Sequence, residues 1–458
     1  MNVIWIVSDT FRKDNLGCYG NEKIFTPSLD AFAKKSICME RHYAAGFPTM
    51  PTRADYFTGR LTGCFMPWAP LPRRLPENQQ PLATVLSQAG FHTAAVVDTP
   101  FYTRSGFNYD RGFRSFIEIQ GQEYWRRGLG DDTRKSWRYE EDRFTPVTFK
   151  RAANWLEDHY KENFFLYIDL WDPHEPWDAP NYYTELYWQD YDGEKITPLY
   201  SHWEDVEGFT EEKVKKAYAC YCGEVTMVDT WFGYFIHQVE NMGLLENTAV
   251  IFTTDHGFYF GEHGGLFGKL TRAKPNIIPY YFVRDNLWTY SPLYEELINI
   301  PLMIYIPLVA SGTYNGLNSA IDLMPTVLDI MNVNIPVQVK GKSLLPMLKD
   351  TSKKGRDYVI STIPFRNPSE NVRLVDGQTR ISETGSDTTI TTEEWSLLYH
   401  PDPGRSFLYH LLSDPKQEKN MISEKPEVAR KLHQYLVEFL KENSVAKELL
   451  NPRLELRI

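Results

Sequence analysis

Short continuous apolar runs recur along the first 350 residues, at 3–8, 93–97, 164–170, 249–254 and 301–306. Runs of this length, rich in Val, Ile, Phe and Thr, predict strands buried on both faces, as in a parallel sheet. Between them, amphipathic stretches at 28–35, 54–58, 82–88 and 147–159 predict helices that cover that sheet. One helix is long. It is expected to start after Thr210 as N-cap, with Glu211 and Glu212 in its first turn, and to end before Gly243. Its stripe of Val214, Tyr218, Tyr221, Val225, Val228, Phe232 and Phe235 recurs at helical spacing and reads as core.

The pattern changes at "TSKKGR", residues 351–356. Beyond this charged break come alternating, strand-like pieces ("VRLVDGQTRI", "TTITTEEWSLLYH", "FLYHLL") and a helix at 426–442. The expected architecture is therefore α/β. A large, mainly parallel sheet sandwiched by helices occupies residues 1–352, and a smaller α+β domain occupies 353–458. A chain of 458 residues is long enough for such a division.

Composition narrows the function. Hydrophobic residues make up 42% and charged residues 24%, an ordinary globular balance. The formal charge of −11 and the lack of a basic block argue against nucleic acid as a partner. An anionic substrate must then be held by a few local cations or a metal. No run of about 20 apolar residues predicts a membrane span. The opening "MNVIWIVSDT" reads as a buried strand, not a secretion signal. The five cysteines, Cys18, Cys38, Cys64, Cys220 and Cys222, are odd in number and form no CxxC. A reducing, cytoplasmic setting is expected.

In open parallel sheets, ligands bind outside the carboxyl ends of the strands. Three predicted strand ends carry polar side chains: Asp9-Thr10, Asp255-His256, and Asp172 followed by His174. One Asp at a strand end is usually a helix cap. Asp9, Asp255 and His256 together, on one rim, make an oxygen-rich set with one imidazole, suited to Mn, Ca, Zn or Mg. "TMPTR" at 49–53 places Thr49 just before a helix that Pro51 can start, where backbone N–H groups favour an anion. Arg53 offers a planar fork to a tetrahedral oxyanion. Alternatively, Thr49 is a helix cap and Arg53 a surface charge.

These stretches resemble the sulfatases, within the alkaline phosphatase superfamily. "NVIWIVSDTFRKDNLGCYG" looks like the family's opening strand and metal-ligand segment. "PTMPTRADYFTGR" resembles its (C/S)-x-P-x-R…TGR signature, and "DPHEPW" its P-H-x-P element. The stretch from "VDTWFGYFIHQ" to "TTDHGFYFGEHG" is similar to its long helix and D-H-G site. "IDLMPTVLDIM", "GKSLLPML" and "LYHLLSDPKQEKNMIS" match later elements in order.

The resemblance implies a single divalent metal held by Asp9, Asp255, His256 and Thr49, with Thr10 as a further ligand through its hydroxyl. It implies Thr49 as nucleophile and Arg53 as the residue stabilising it and the oxyanion. Lys269 would contact the transferring group, and His174 would contact substrate oxygens or protonate the leaving group. Asp172 and His263 are the residues from which a second metal could be built.

Three departures bear on the reaction. Thr49 stands where the family keeps the cysteine or serine that becomes formylglycine, so no formylglycine is expected. Asp9-Thr10 replaces an Asp-Asp pair. "VVDTPFY" replaces "GKWHLG", which removes a Lys and a His that hold sulfate and leaves Thr99 as a candidate oxyanion contact. A threonine ester cannot collapse to an aldehyde, so its hydrolysis must occur at the central atom, and in-line displacement at phosphorus suits metal and cation clamps. The expected activity is hydrolysis of phosphodiester, phosphonate or phosphate esters on a small anionic substrate. A sulfatase working without formylglycine and a non-catalytic binding protein are the alternatives. Aromatic- and basic-rich segments at 123–143 and 270–292 are expected either to close over the pocket or to pack against a second subunit in a homo-oligomer.

Overall fold

The computed structural model describes residues 1–66, 74–98, 107–121, 133–272, 288–290, 292–365, 371–373, 379–381 and 387–458. Its centre is an eight-stranded sheet. In chain order the strands are β1 (Asn2–Ser8), β2 (Ile37–Met39), β3 (His92–Val97), β4 (Ser115–Glu118), β5 (Phe164–Leu170), β6 (Thr248–Thr253), β7 (Leu302–Tyr305) and β8 (Gly312–Tyr314). The spatial order is β8-β2-β7-β6-β1-β5-β3-β4. The five strands from β6 to β4 are parallel. The predicted strand at 301–306 is present as β7 and runs antiparallel to both its neighbours.

The two-residue period of the strands sorts the core into two layers. Val3, Trp5 and Val7 of β1, with Phe165 and Tyr167 of β5 and Ala249 and Ile251 of β6, face one cluster. Ile4 and Ile6, with Leu166, Ile168, Val250 and Phe252, face the other. On the first face lie α2 (Thr49–Thr58), α3 (Leu82–Gln88) and α6 (Leu323–Ile330); on the second lie α1 (Pro27–Ala33), α4 (Phe144–His159) and α5 (Glu211–Asn241). Helix α5 begins as its sequence predicts, with the Thr210 hydroxyl accepting from Lys213 N–H at 3.3 Å. It ends at a left-handed Gly243, φ 70°.

After the charged break comes an antiparallel sheet of β9 (Val359–Thr362), β10 (Thr388–Thr391), β11 (Trp395–Tyr399) and β12 (Phe407–His410), covered by α7 (Pro426–Glu442). Its apolar side chains, among them Ile390, Leu397, Leu432 and Leu436, join the first layer of the large sheet. The smaller region thus shares its core with the larger one. It also anchors the chain entering α2: Thr362 N–H donates to Ala45 O at 2.7 Å, and Phe47 N–H to Thr362 O at 3.0 Å. All five cysteines carry free thiols. Among the described residues, no helix is long and apolar enough to cross a membrane.

Candidate active site

The helix expected at 54–58 begins at Thr49, directly after Pro48. The turn before it is tight: a Cβ on Gly46 would lie 2.6 Å from the Asp55 carboxylate and 2.9 Å from Pro51 Cβ. Asp55 caps that turn by accepting from Gly46 N–H and Thr62 N–H. Thr49 is 8% exposed, and its Oγ1 lies 3.3 Å from Nε2 of His256. His256 Nδ1 lies 2.9 Å from the carbonyl of Gly257, which can only accept. Nδ1 therefore holds the proton, and the Nε2 lone pair points toward Thr49. Burial pushes this imidazole down to about 3, so it is neutral at pH 7. A Cβ on Gly257 would collide with the Glu296 carbonyl at 1.9 Å, which explains the glycine after His256.

Asp9 continues β1, its N–H donating to Leu170 O at 2.9 Å. Asp255 lies just past β6. Its Oδ1 accepts from the N–H groups of Thr10 at 2.9 Å and of His256 at 2.8 Å. Thr10 has φ 62°, a left-handed conformation that costs a β-branched residue about 1–3 kcal/mol. It is held there by Asp255, by its own hydroxyl on Asp9 at 2.6 Å, and by Tyr221 OH on its carbonyl at 2.8 Å.

Arg53 is fully buried. Its guanidinium contacts Asp255, lies 3.1 Å from Asp9, and grips Asp169 with Nη2 at 2.8 Å and Nε at 3.2 Å. Burial raises the carboxyls of both Asp9 and Asp255. At Asp255 burial is the largest influence, but the Arg53 guanidinium, His256, a hydrogen bond with Asp9 and the Lys269 charge together outweigh it and hold the acid below the usual range; at Asp9, repulsion by Asp255 adds to burial and keeps the acid above it. Lys269 is also buried, with its ammonium donating to Thr10 Oγ1 at 3.3 Å. His174 stacks on Trp171 at 4.0 Å and donates Nδ1–H to Glu175 O at 2.7 Å. Burial, then the Lys269 charge, push it well below its ordinary value.

Ligand atoms of Asp9, Asp255 and His256 lie within 4.8 Å of one another, all buried. Asp9 Oδ2 accepts no hydrogen bond. Two carboxylates and a neutral imidazole lone pair, with the Thr49 hydroxyl alongside, fit a divalent cation. Asp172 accepts from Thr145 Oγ1 at 2.8 Å, and His263 pairs with Glu296 at 2.9 Å; neither joins a metal-ligand group among the described residues. Thr99 lies outside the described residues, as do residues 123–132 of the first aromatic- and basic-rich segment and most of the second, 270–292. A cavity of about 880 Å³, lined in part by Arg12, Glu262, His263, Tyr294 and Tyr409, flanks the centre without including the ligand set.

Sequence reasoning missed Asp169. It follows Phe165 and Tyr167 on the face that α2 covers, which is why it meets Arg53. The available signal was a lone acid in an otherwise apolar strand, "FFLYIDL".

The strand ends of the sheet thus gather two acids and a histidine that fit a metal against a helix-borne hydroxyl, the arrangement that the resemblance to the sulfatases of the alkaline phosphatase superfamily implies. The comparisons are more specific. The sulfatase family profile matches residues 1–333, and the profile "N-sulphoglucosamine sulphohydrolase, C-terminal" matches residues 287–443. The chain belongs to the sulfatase family. It is 24% identical to an arylsulfatase of Clostridium perfringens, over 92% of this chain and 90% of that one. Its fold is similar to the phosphonate monoester hydrolase of Agrobacterium radiobacter, with TM-score 0.75, 19% identity and 96% of each chain covered. It is equally similar to a protein solved with its substrate D-glucosamine-2-N,6-O-disulfate, with TM-score 0.76, 20% identity and 99% of each chain covered.

Proposed function

We propose that the protein hydrolyses phosphodiester, phosphonate or phosphate esters of small anionic molecules through Thr49. The observation that carries this reading is the side chain at the start of α2. Thr49 is a secondary alcohol with one C–O bond, so it cannot supply the geminal diol whose second hydroxyl expels sulfate. The ester it forms must be opened by water at the central atom.

A divalent ion held by Asp9, Asp255, His256 and the Thr49 hydroxyl would supply the positive charge that lowers the hydroxyl pKa and neutralises the anionic ester. In the first step the Thr49 hydroxyl gives up its proton to solvent and the Thr49 Oγ1–P bond forms as the P–O bond to the leaving group breaks, the departing oxygen taking up a proton from solvent. In the second, water displaces Thr49 from phosphorus and returns its proton. The Lys269 ammonium places a fixed charge where negative charge develops. His174, with Nδ1–H held on Glu175 O, presents Nε2 as an acceptor. That arrangement supports contact with a substrate hydroxyl or the attacking water over protonation of the leaving group. Arg53 orients the ligand carboxylates, because its guanidinium faces Asp9, Asp169 and Asp255.

The names of the curated relatives favour sulfate esters as the second reading. The test is parallel turnover of p-nitrophenyl phosphate, bis-p-nitrophenyl phosphate, p-nitrophenyl phenylphosphonate and p-nitrophenyl sulfate, with Mn²⁺, Ca²⁺, Zn²⁺ and Mg²⁺ in turn. A phosphorus ester should have the highest kcat/KM. A preference for the sulfate overturns the reading, and no turnover with metal bound supports a binding protein.

A further inference from the structure

We propose that His92, His159 and Glu162 form a second metal site, of zinc type, at the end of the sheet opposite the catalytic centre. His92 opens β3, His159 closes α4, and Glu162 sits in the turn that leads into β5. The catalytic residues follow the other ends of the strands. The seven residues of β5 therefore separate the two sites by about 20 Å.

Three features point to a metal. First, ligand atoms of the three side chains lie within 4.8 Å of one another. The two carboxylate oxygens of Glu162 each stand 2.8 Å from one imidazole Nδ1, Oε2 from that of His92 and Oε1 from that of His159. In a tetrahedral zinc site with bonds of about 2.0–2.1 Å, neighbouring donors stand about 3.3 Å apart. An outward shift of about 0.5 Å by Glu162, whose side chain is 47% exposed, would accommodate the ion.

Second, His92 has a partner for the proton that its metal-bound form would carry. Its Nε2 lies 2.8 Å from Ser115 Oγ, so once Nδ1 gives its lone pair to the metal the proton can reside on Nε2 and donate to the hydroxyl. Metal binding would replace the Nδ1–H that each ring directs at Glu162 by a lone pair, with the ring proton carried on Nε2. Third, the rings are held in place. Trp155 packs against both, with ring centres 5.2 Å from His92 and 4.5 Å from His159, and the two histidines are 4.5 Å apart. The exposed side leaves a fourth position for water.

Two nitrogens and one carboxylate favour zinc or a similar borderline ion over calcium or magnesium. The ion would clip the end of α4 to the start of β3, where His92 N–H already donates to Asn163 O, in the turn between α4 and β5, at 2.8 Å.

Full-length protein stripped with EDTA and dialysed against micromolar Zn²⁺ tests this by metal analysis. The variants His159→Gln and Glu162→Gln should each hold one zinc fewer per chain than the wild type, with ester turnover unchanged. Co²⁺ substitution should give visible bands that the same two variants weaken, while Asp255→Asn leaves that component in place. Equal zinc content in the wild type and both variants overturns the site, as does a Co²⁺ spectrum that neither variant alters.

Discussion

Replacing Asp169 with Asn tests how the proposed metal site is held together. Asp169 is fully buried and accepts from Arg53 Nη2 at 2.8 Å, Arg53 Nε at 3.2 Å and Tyr167 OH at 2.8 Å. Asn keeps the shape and can still accept from Tyr167. It removes the charge, so the guanidinium falls wholly to Asp9 and Asp255, the carboxylates proposed to hold the ion. Unit charges about 4 Å apart interact by about 4 kcal/mol at an effective dielectric constant near 20. If about half of that is transferred to the ligand carboxylates, metal binding weakens by about 2 kcal/mol, or roughly 30-fold. Losses of this size, 10–100-fold, are typical when a group orienting metal ligands is removed. The assay is Mn²⁺ titration of the stripped enzyme, followed by calorimetry and by recovery of turnover. The Mn²⁺ half-saturation should rise 10–100-fold, with kcat at saturating metal within about tenfold of wild type. A folded Asp169→Asn protein with unchanged metal affinity refutes the argument that Arg53 is shared between Asp169 and the ligands.

Two further outcomes are expected. Thr49→Ala keeps the helix start and should lower kcat by roughly 10³-fold or more on every ester, while Thr49→Ser retains a measurable fraction; steady-state kinetics decide, and an active alanine variant removes Thr49 as nucleophile. His42 is buried against Asn318 Oδ1 at 2.5 Å, and burial pushes it down to about 4. Its unfolded value is about 6.5, so as pH falls the unfolded chain takes up the proton first and stability is lost between 6.5 and 4. The single group accounts for about 2 kcal/mol between pH 7 and pH 5. Urea unfolding at the two pH values should show His42→Gln losing about that much less than wild type.

The strands, the long helix and the clustering of Asp9, Asp255 and His256 were legible because each rests on a local signal. β1, β5 and β6 are continuous apolar runs, and Asp9, Asp255 and His256 follow strand ends, where parallel sheets place ligands. The start of α2 was less legible. Pro51 suggested a helix beginning later, whereas the turn at Gly46 and its bonds to Asp55 and Thr362 let the helix begin at Thr49 itself. That placement comes from β9, more than 300 residues away in sequence, and no local pattern contains it.

Arg53 shows the same division. Its residue type and spacing suggested a fork for the substrate, but its partners are set by topology. β5 lies beside β1 in the sheet, α2 covers the face on which odd-numbered β5 residues point, and Asp169 is the next such residue after Tyr167. A carboxylate in a strand buried on both faces demands a cationic partner, because an unpaired buried charge is too costly to keep. The requirement could be read from "FFLYIDL" alone, but the partner, 116 residues away, could not. Once the pair is fixed, the guanidinium reaches Asp255 and Asp9 from the same position. Its position follows from Asp169, and from there its charge faces the two carboxylates that we propose hold a metal.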